Sequence, residues 1–109
     1  MNNSTNDIRI DLIFSQSSSV ASGRPDGKEC YQTQVRSKIE SHLNMCSGKI
    51  IMAFPKHIKL ISGSFLLGLF EEICNIMGIE GIKRTFKFES HTGDDLLQLL
   101  LDELKRSAY

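Results

Sequence analysis

An unbroken apolar run from Ile50 to Phe54 constrains the fold of this chain more than any other segment. The run has the length of a strand, and Pro55 closes it. Continuous apolarity, in place of the alternation seen in half-buried strands, is typical of a central parallel strand that is covered on both faces. The sequence therefore predicts a parallel sheet with this strand at its centre.

Two further strands are predicted by apolar and polar side chains that alternate with a period of two. The first runs from Ile8 to Phe14, and the other runs from Thr85 to Glu89. Segment 15–27, which follows the first strand, is rich in serine and glycine and is predicted to be a loop. Residues 1–6 are polar, and we expect them to be disordered.

Three helices are predicted by apolar residues that recur at helical spacing. Their predicted bounds are Pro25 or Asp26 to Ser47-Gly48, Ser62–Ser64 to Met77, and Asp94 to Ser107. The apolar face of the first helix is predicted to consist of Val35, Ile39, His42 or Leu43, and Cys46. Gly78 is the expected stop of the second helix, and Thr92 is a candidate cap for the third.

The predicted order of elements is βαβαβα, in which consecutive βαβ units make the strands parallel. We therefore predict an α/β fold, a small single domain over residues 7–109 with a mostly parallel sheet and helices packed on it. The last helix carries more leucine than one narrow stripe needs: Leu96, Leu97, Leu99, Leu100, Leu101 and Leu104. Either these leucines cover the sheet, or part of them faces a partner or forms a homodimer with a second copy.

Charge and composition narrow the classes of partner. The 13 basic and 13 acidic residues balance to zero, which gives no electrostatic reason to expect nucleic acid or an anionic membrane surface. No apolar run approaches the roughly 20 residues of a membrane span, and the N-terminus lacks the pattern of a secretory signal. Cys30, Cys46 and Cys74 lack metal-ligand spacing and fit buried, reduced thiols. We expect a cytoplasmic protein without metal or cofactor.

No catalytic residues are predicted. His42, His57 and His91 stand apart in the sequence, without the spacing of metal ligands. A pairing of Ser62 with His57 as nucleophile and base lacks the G-x-S-x-G elbow and a third, orienting member. The glycines after Ser22 miss the spacing of a nucleotide-binding Walker A loop. The sequence therefore favours a domain that is not an enzyme.

The predicted topology brings two loops, residues 15–25 and 55–64, to the carboxyl edge of the sheet, where such folds usually bind ligands. Arg24 and the turn Ser62–Ser64 should therefore lie on the same edge. The free N–H groups at a helix N-terminus attract anions such as a phosphate or an acidic side chain. The simpler interpretation is that Ser62 or Ser64 is an ordinary helix cap.

Four segments of the chain resemble the bacterial STAS-like domain of unknown function, a distant relative of the sulfate transporter and anti-sigma factor antagonist domain. These segments are Ser22-Gly23-Arg24-Pro25 with Gly27, Val35 to Glu40, Lys49 to Phe54, and Ile61-Ser62-Gly63-Ser64-Phe65. The last segment is similar to the I-S-S-S-F motif of that family. The resemblance covers most of the chain.

The resemblance implies a regulatory role in protein interaction. In the anti-sigma antagonists a D-S-S-G turn opens the corresponding helix, and a partner kinase of the histidine-kinase-like ATPase fold phosphorylates its first serine. Ser62 occupies that place here, with Ile61 in place of the aspartate, so Ser62 is the candidate phosphoacceptor. The expected docking surface is the hook 55–66 with the start of the second helix.

We therefore predict a non-catalytic module that docks a protein partner, a histidine-kinase-like ATPase or a related regulator. The residues predicted to bind the partner or an anion are Arg24, His57, Ser62, Gly63, Ser64 and Phe65. The alternative is a domain that binds a nucleotide or phosphate ligand at the same edge. In that case Arg24 and the N–H groups of Ser62–Ser64 would hold the phosphate.

Overall fold

Five strands and four helices make up the described part of the chain, residues 7–45 and 48–107 of a computed structural model. Their bounds are β1 (Ile8–Asp11), β2 (Val20–Ala21), α1 (Arg24–Cys30), α2 (Arg36–Met45), β3 (Ile50–Ala53), β4 (Leu60–Ile61), α3 (Gly63–Thr85), β5 (Phe86–Glu89) and α4 (Leu96–Ser107). A π-helical stretch, Tyr31–Val35, joins α1 to α2. The predictions for residues 1–6, for Cys46-Ser47 and for the side chains of His42 and Leu43 lie outside the described residues.

The main sheet has three parallel strands in the order β1-β3-β5, so the apolar run forms the central strand as predicted. In its register Ile10 lies beside Met52, and Met52 lies beside Phe88. Together with the helices packed on it, this sheet confirms the predicted α/β fold. None of the helices in residues 7–45 and 48–107 combines the length and apolarity needed to cross a membrane.

The prediction that β3 is covered on both faces is confirmed, since Met52 and Ala53 point to opposite faces and are 0% and 3% exposed. The two covers differ in kind. Right-handed crossovers that step in the same direction, from β1 to β3 and from β3 to β5, lie on the same face of a sheet. The opposite face carries the exposed side chains Arg9, Asp11, Lys87 and Glu89. Arg9 Nη1 donates a 2.7 Å hydrogen bond to Glu89 Oε1, and this pair reaches across β3 from one edge strand to the other. A polar bridge therefore covers the apolar side chains that β3 presents on this face.

A second, two-stranded parallel sheet pairs Val20 with Leu60 and Ala21 with Ile61. Sequence analysis placed both strands in loops, because two residues are too few for a periodic signal. Ala21 and Ile61 face the core, whereas Val20 and Leu60 face outward. This small sheet ties the loop that follows β1 to the segment that leads into α3.

Helices α1 and α3 cross in close contact at two glycines. A Cβ atom at Gly27 would overlap the carbonyl oxygen of Phe65, and one at Gly68 would overlap the carbonyl oxygen of Arg24. Because each obstacle is backbone, only glycine fits at these two positions. The crossing holds α3 against α1 on one side, and α3 packs against α4 on the other.

Two helix ends differ from their predicted form. The backbone leaves the helical conformation at Gly78 (φ 72°, ψ 174°), as a stop signal predicts, but a further helical segment follows and runs to Thr85. The cap of α4 is Asp95 rather than Thr92, because the Asp95 carboxylate accepts a 3.1 Å bond from the Gln98 N–H. Thr92 instead accepts a hydrogen bond from the Asp94 N–H in the preceding turn.

Candidate functional site

The start of α3 is a capped helix N-terminus. Ser62 Oγ accepts a 3.1 Å hydrogen bond from the Phe65 N–H and lies 3.1 Å from Ser64 Oγ. Such a cap stabilises a helix by about 1 kcal/mol. The simpler prediction for Ser62, an ordinary N-cap, is confirmed, and the exposed hydroxyl at this turn belongs to Ser64.

The position of this turn is set by the small sheet. The Ser62 N–H donates a 2.9 Å hydrogen bond to the carbonyl oxygen of Ala21 in β2, directly after the pairing of Ile61 in β4. The turn is therefore held from two sides, by its own cap and by the loop that follows β1. A chain held in this way presents Ser64 in one defined orientation.

Gly63, the first residue of α3, lies under the side chain of Glu103 from α4. A Cβ atom at Gly63 would lie 2.7 to 2.8 Å from Cγ, Cδ and Oε2 of Glu103. The Glu103 side chain is 19% exposed, and its Oε2 lies 3.2 Å from Arg106 Nη2. A carboxylate of the same chain therefore lies beside the predicted anion site, near a helix end whose dipole favours negative charge.

Phe65 does not contribute a surface for docking, which corrects its predicted role. The side chain is 2% exposed and contacts Phe14 and Phe54, with ring centroids 5.8 and 6.3 Å away. Phe65 also belongs to the apolar stripe of α3, and the core is where the stripe places it. The three rings join the loop after β1, the end of β3 and the start of α3.

Arg24 binds Glu71, about two turns along α3 from the Ser62–Ser64 turn. Arg24 Nε and Nη2 donate bonds of 2.9 and 3.1 Å to the two carboxylate oxygens of Glu71, and Lys28 Nζ lies 3.8 Å from Oε2. These hydrogen bonds hold the pKa of the Glu71 carboxyl below its usual range. The α1–α3 crossing brings Glu71 to Arg24.

His57 connects the two loops that were predicted to share an edge. Its Nε2 lies 3.0 Å from the carbonyl oxygen of Ser15, so this nitrogen donates to the loop that follows β1. Ser62 and His57 each have other hydrogen-bond partners, and they do not bond to one another in the described residues. The arrangement fits a structural role for His57 and lacks the contact that a nucleophile and its base would need.

Sequence reasoning missed an exposed apolar pair beside the turn. Val20 and Leu60, which are neighbours across the small sheet, are 44% and 53% exposed. The only other large apolar side chains with high exposure in the described part of the chain are Ile13 and Ile76. The signal was present as alternation, since each outward residue precedes an inward one, but two residues do not make a recognisable period.

The described residues contain no metal-binding cluster, and their two cysteines are free thiols. Within residues 7–45 and 48–107, no group of three or more His, Cys, Asp or Glu side chains could hold a metal ion. Cys30 is a buried free thiol and Cys74 a half-buried one. Burial raises the pKa of Cys30 to about 12, so its thiol stays protonated at neutral pH.

Most of the leucine side chains of α4 are buried within the domain. Leu96, Leu100, Leu101 and Leu104 are buried. Leu97 and Leu99 are half-buried and pack against the same core. This arrangement follows the first of the two interpretations of the leucine-rich helix, in which it covers the other elements of the domain.

Comparison with known proteins leaves the family open. No protein-family model, no curated protein and no solved structure matches this chain. The resemblance to STAS-like domains therefore stays a prediction that rests on the quoted residues.

Proposed function

We propose that this chain is a non-catalytic, STAS-like regulatory module that docks a protein partner in the cytoplasm. The docking surface consists of residues 55–64, which are the part of the hook that ends with the Ser62–Ser64 turn, and of Val20 beside the exposed Leu60. The observation that carries the proposal is this apolar pair, in which Leu60 lies two residues before the cap of α3 and Val20 is its neighbour in the small sheet. The partner class, a histidine-kinase-like ATPase or related regulator, is proposed from the family resemblance.

The chemistry of the surface suits a protein partner. Two neighbouring aliphatic side chains, both about half exposed, offer an anchor of the kind that the centre of an interface buries. Exposed polar side chains lie beside Leu60: Asp94, Asp95, Gln98 and Asp102. An apolar centre with a polar rim is the usual composition of a protein interface. The anchor replaces the buried Phe65 as the apolar contact of the surface.

The alternative function, binding of a nucleotide or phosphate at the same turn, has less support. Its cation, Arg24, is hydrogen-bonded to Glu71 through two nitrogens. Its helix N-terminus lies under the carboxylate of Glu103. A phosphate would therefore have to displace one carboxylate from the helix end and to compete with another for the guanidinium.

Replacing Leu60 by serine is expected to abolish capture of the partner. Truncating a central apolar anchor typically weakens binding by about 2 kcal/mol or more, which is roughly thirtyfold in Kd. The immobilised protein would be incubated with a lysate of the cells that encode it, and retained proteins would be identified by mass spectrometry. The partner is expected on the unmodified chain and not on Leu60→Ser.

Ile76→Ser is a matched control for this experiment, because Ile76 has the same exposure as Leu60, 53%, and lies past the middle of α3, two residues before Gly78. The control should retain the partner, and circular dichroism should show both variants folded. Equal retention by both variants would place docking elsewhere and would refute the proposed surface.

A charge at Ser62 is expected to change the affinity for that partner without unfolding the chain. Aspartate caps helices about as well as serine, so Ser62→Asp keeps the start of α3. The added charge lies next to Glu103 and inside the proposed surface, where it acts by repulsion and desolvation, as a phosphate would. Ser62→Asn, an equally good but neutral cap, isolates the effect of charge. Equal Kd values for the two variants, measured by calorimetry, would contradict the role of Ser62 as a phosphorylation switch.

A further inference from the structure

A cavity of about 310 Å³ opens between the loop that follows β1 and the exposed side of α1. Its volume is at the lower end of the range for small-molecule sites. It lies beyond the carboxyl end of β1, at the edge where parallel α/β folds bind ligands. The cavity adjoins the proposed docking surface, because Val20 lies at the border of both.

The loop wall of this cavity is fastened in place. Gln34, in the π-helical stretch, binds the backbone of Ile13 twice: its Oε1 accepts from the N–H at 2.7 Å, and its Nε2 donates to the carbonyl at 3.0 Å. His57 holds the carbonyl of Ser15. π-helical turns inside helices are frequent at functional sites. A wall held by side chains from two other segments is preformed.

The floor of the cavity is apolar and aromatic. Phe14 and Phe65 contribute rings, Ala21 contributes a methyl group, and Cys30 contributes a buried thiol that is neutral at physiological pH. The electron-rich face of an aromatic ring attracts a cation within about 6 Å of its centroid. Such a floor suits the apolar part of a ligand and also the carbon atoms next to a charged nitrogen.

The charged residues of the lining are Asp26 and Glu29, both exposed at the rim and one helical turn apart on α1. Neither carboxylate has a Lys, Arg or His nitrogen within 4.0 Å in the described part of the chain. No basic side chain lines the cavity. The rim therefore repels phosphates and carboxylates and attracts a positive charge.

We propose that this cavity binds a compact organic cation, a primary amine or guanidine on a short apolar chain. The charged nitrogen pairs with Asp26 and Glu29 at the rim, and the chain lies against Phe14, the half-buried ring of the lining. Hydroxyl groups of the wall, such as that of Ser18, accept further N–H bonds. The site goes beyond the proposed docking function, which does not require a ligand.

The floor of this cavity is connected to the docking turn. The carbonyl of Ala21 accepts the N–H of Ser62, and the N–H of Phe65 donates to the hydroxyl of Ser62. A ligand in the cavity therefore lies next to the two residues that hold the cap of α3, each of which is 2% exposed. In an NMR titration, this connection provides a second measurable signal, the amide resonance of Ser62.

The test is an NMR titration of the ¹⁵N-labelled chain with agmatine, with n-butylamine, and with inorganic phosphate as the anionic probe. Agmatine is expected to shift the amide signals of Ser18, Ser22 and Thr33 in a saturable way, with a Kd in the millimolar range or tighter, about −4 kcal/mol. The variant Asp26→Asn with Glu29→Gln should weaken that affinity at least tenfold. Glu40→Gln, which removes a carboxylate on α2 outside the cavity, should leave it unchanged.

Three results would overturn the proposal. The first is the absence of saturable shifts at these amides with either amine. The second is equal affinity of the unmodified chain and the double variant, which would show non-specific attraction. The third is tighter binding of phosphate than of agmatine. Because each variant's amide spectrum also reports its folding, a misfolded double variant would be recognised, and Asp26→Asn alone would then be titrated.

Discussion

Gly68→Ala is expected to lower the free energy of unfolding by about 3 kcal/mol, because a methyl group forced into a packed contact must displace its neighbours. The neighbour of Gly68 is the backbone of α1. The new Cβ would overlap the carbonyl oxygen of Arg24 and lie 3.0 Å from the backbone nitrogen of Lys28. Backbone cannot rotate away as a side chain can, so the two helices must separate. Thermal unfolding followed by circular dichroism should show a melting temperature lower by more than about 10 °C.

Gly63→Ala is the matched control, because it places the same methyl group on the same helix. Its Cβ would meet only side-chain atoms of Glu103, which can move toward solvent. We expect its stability to stay within about 1 kcal/mol of the unmodified chain. Gly27→Ala, on the other side of the crossing, should repeat the effect of Gly68→Ala. A Gly68→Ala protein that melts with the unmodified chain would show that the helices do not pack through these glycines.

Phe65→Ala is expected to cost about 3 to 5 kcal/mol of folding stability, the range for removing a buried aromatic ring. The ring contacts Phe14 and Phe54, so its loss opens a void between the loop, β3 and α3. Urea unfolding should show the lower stability as a shift of the midpoint at constant slope. An exposed docking residue would behave in the opposite way, with little change in stability and a large change in binding.

Two variants separate the volume of the ring from its position at the turn. Phe65→Leu keeps most of the apolar volume and should recover most of the stability, to within about 1.5 kcal/mol. Ser64→Ala, one residue earlier and exposed, should be nearly neutral. If Phe65→Ala unfolds at the same urea concentration as Ser64→Ala, then Phe65 is not part of the core.

The main sheet could be predicted because its signals are local. Ile8 and Ile10 alternate with polar neighbours, and the run that begins at Ile50 needs no partner to be recognised as a strand. The kind of cover on each face of the sheet could not be predicted, since the bridge over β3 joins Arg9 to Glu89, 80 residues apart in the sequence. Apolarity of both sides of a strand indicates burial, but it does not indicate whether a helix or an ion pair provides it.

The candidate site, too, could be predicted where its contacts are local in the sequence and could not be predicted where they are long-range. The cap at Ser62 depends on residues three apart and could be predicted, whereas the pairing of Arg24 with Glu71 depends on how closely α1 approaches α3. Phe65 was assigned both to the apolar stripe of a helix and to a docking surface. Only the tertiary contacts of its ring decide between these roles. The exposed Val20 and Leu60 were missed because their neighbourhood exists only after two loops have paired.

The carboxylate of Glu103 above Gly63 makes the start of α3 a site with a built-in competitor. A group tethered to the same chain acts at an effective concentration in the millimolar range or above, so free anions of weak affinity are outcompeted. We therefore expect a free anion to bind this helix end only weakly, because it must first displace a carboxylate that the fold itself holds there.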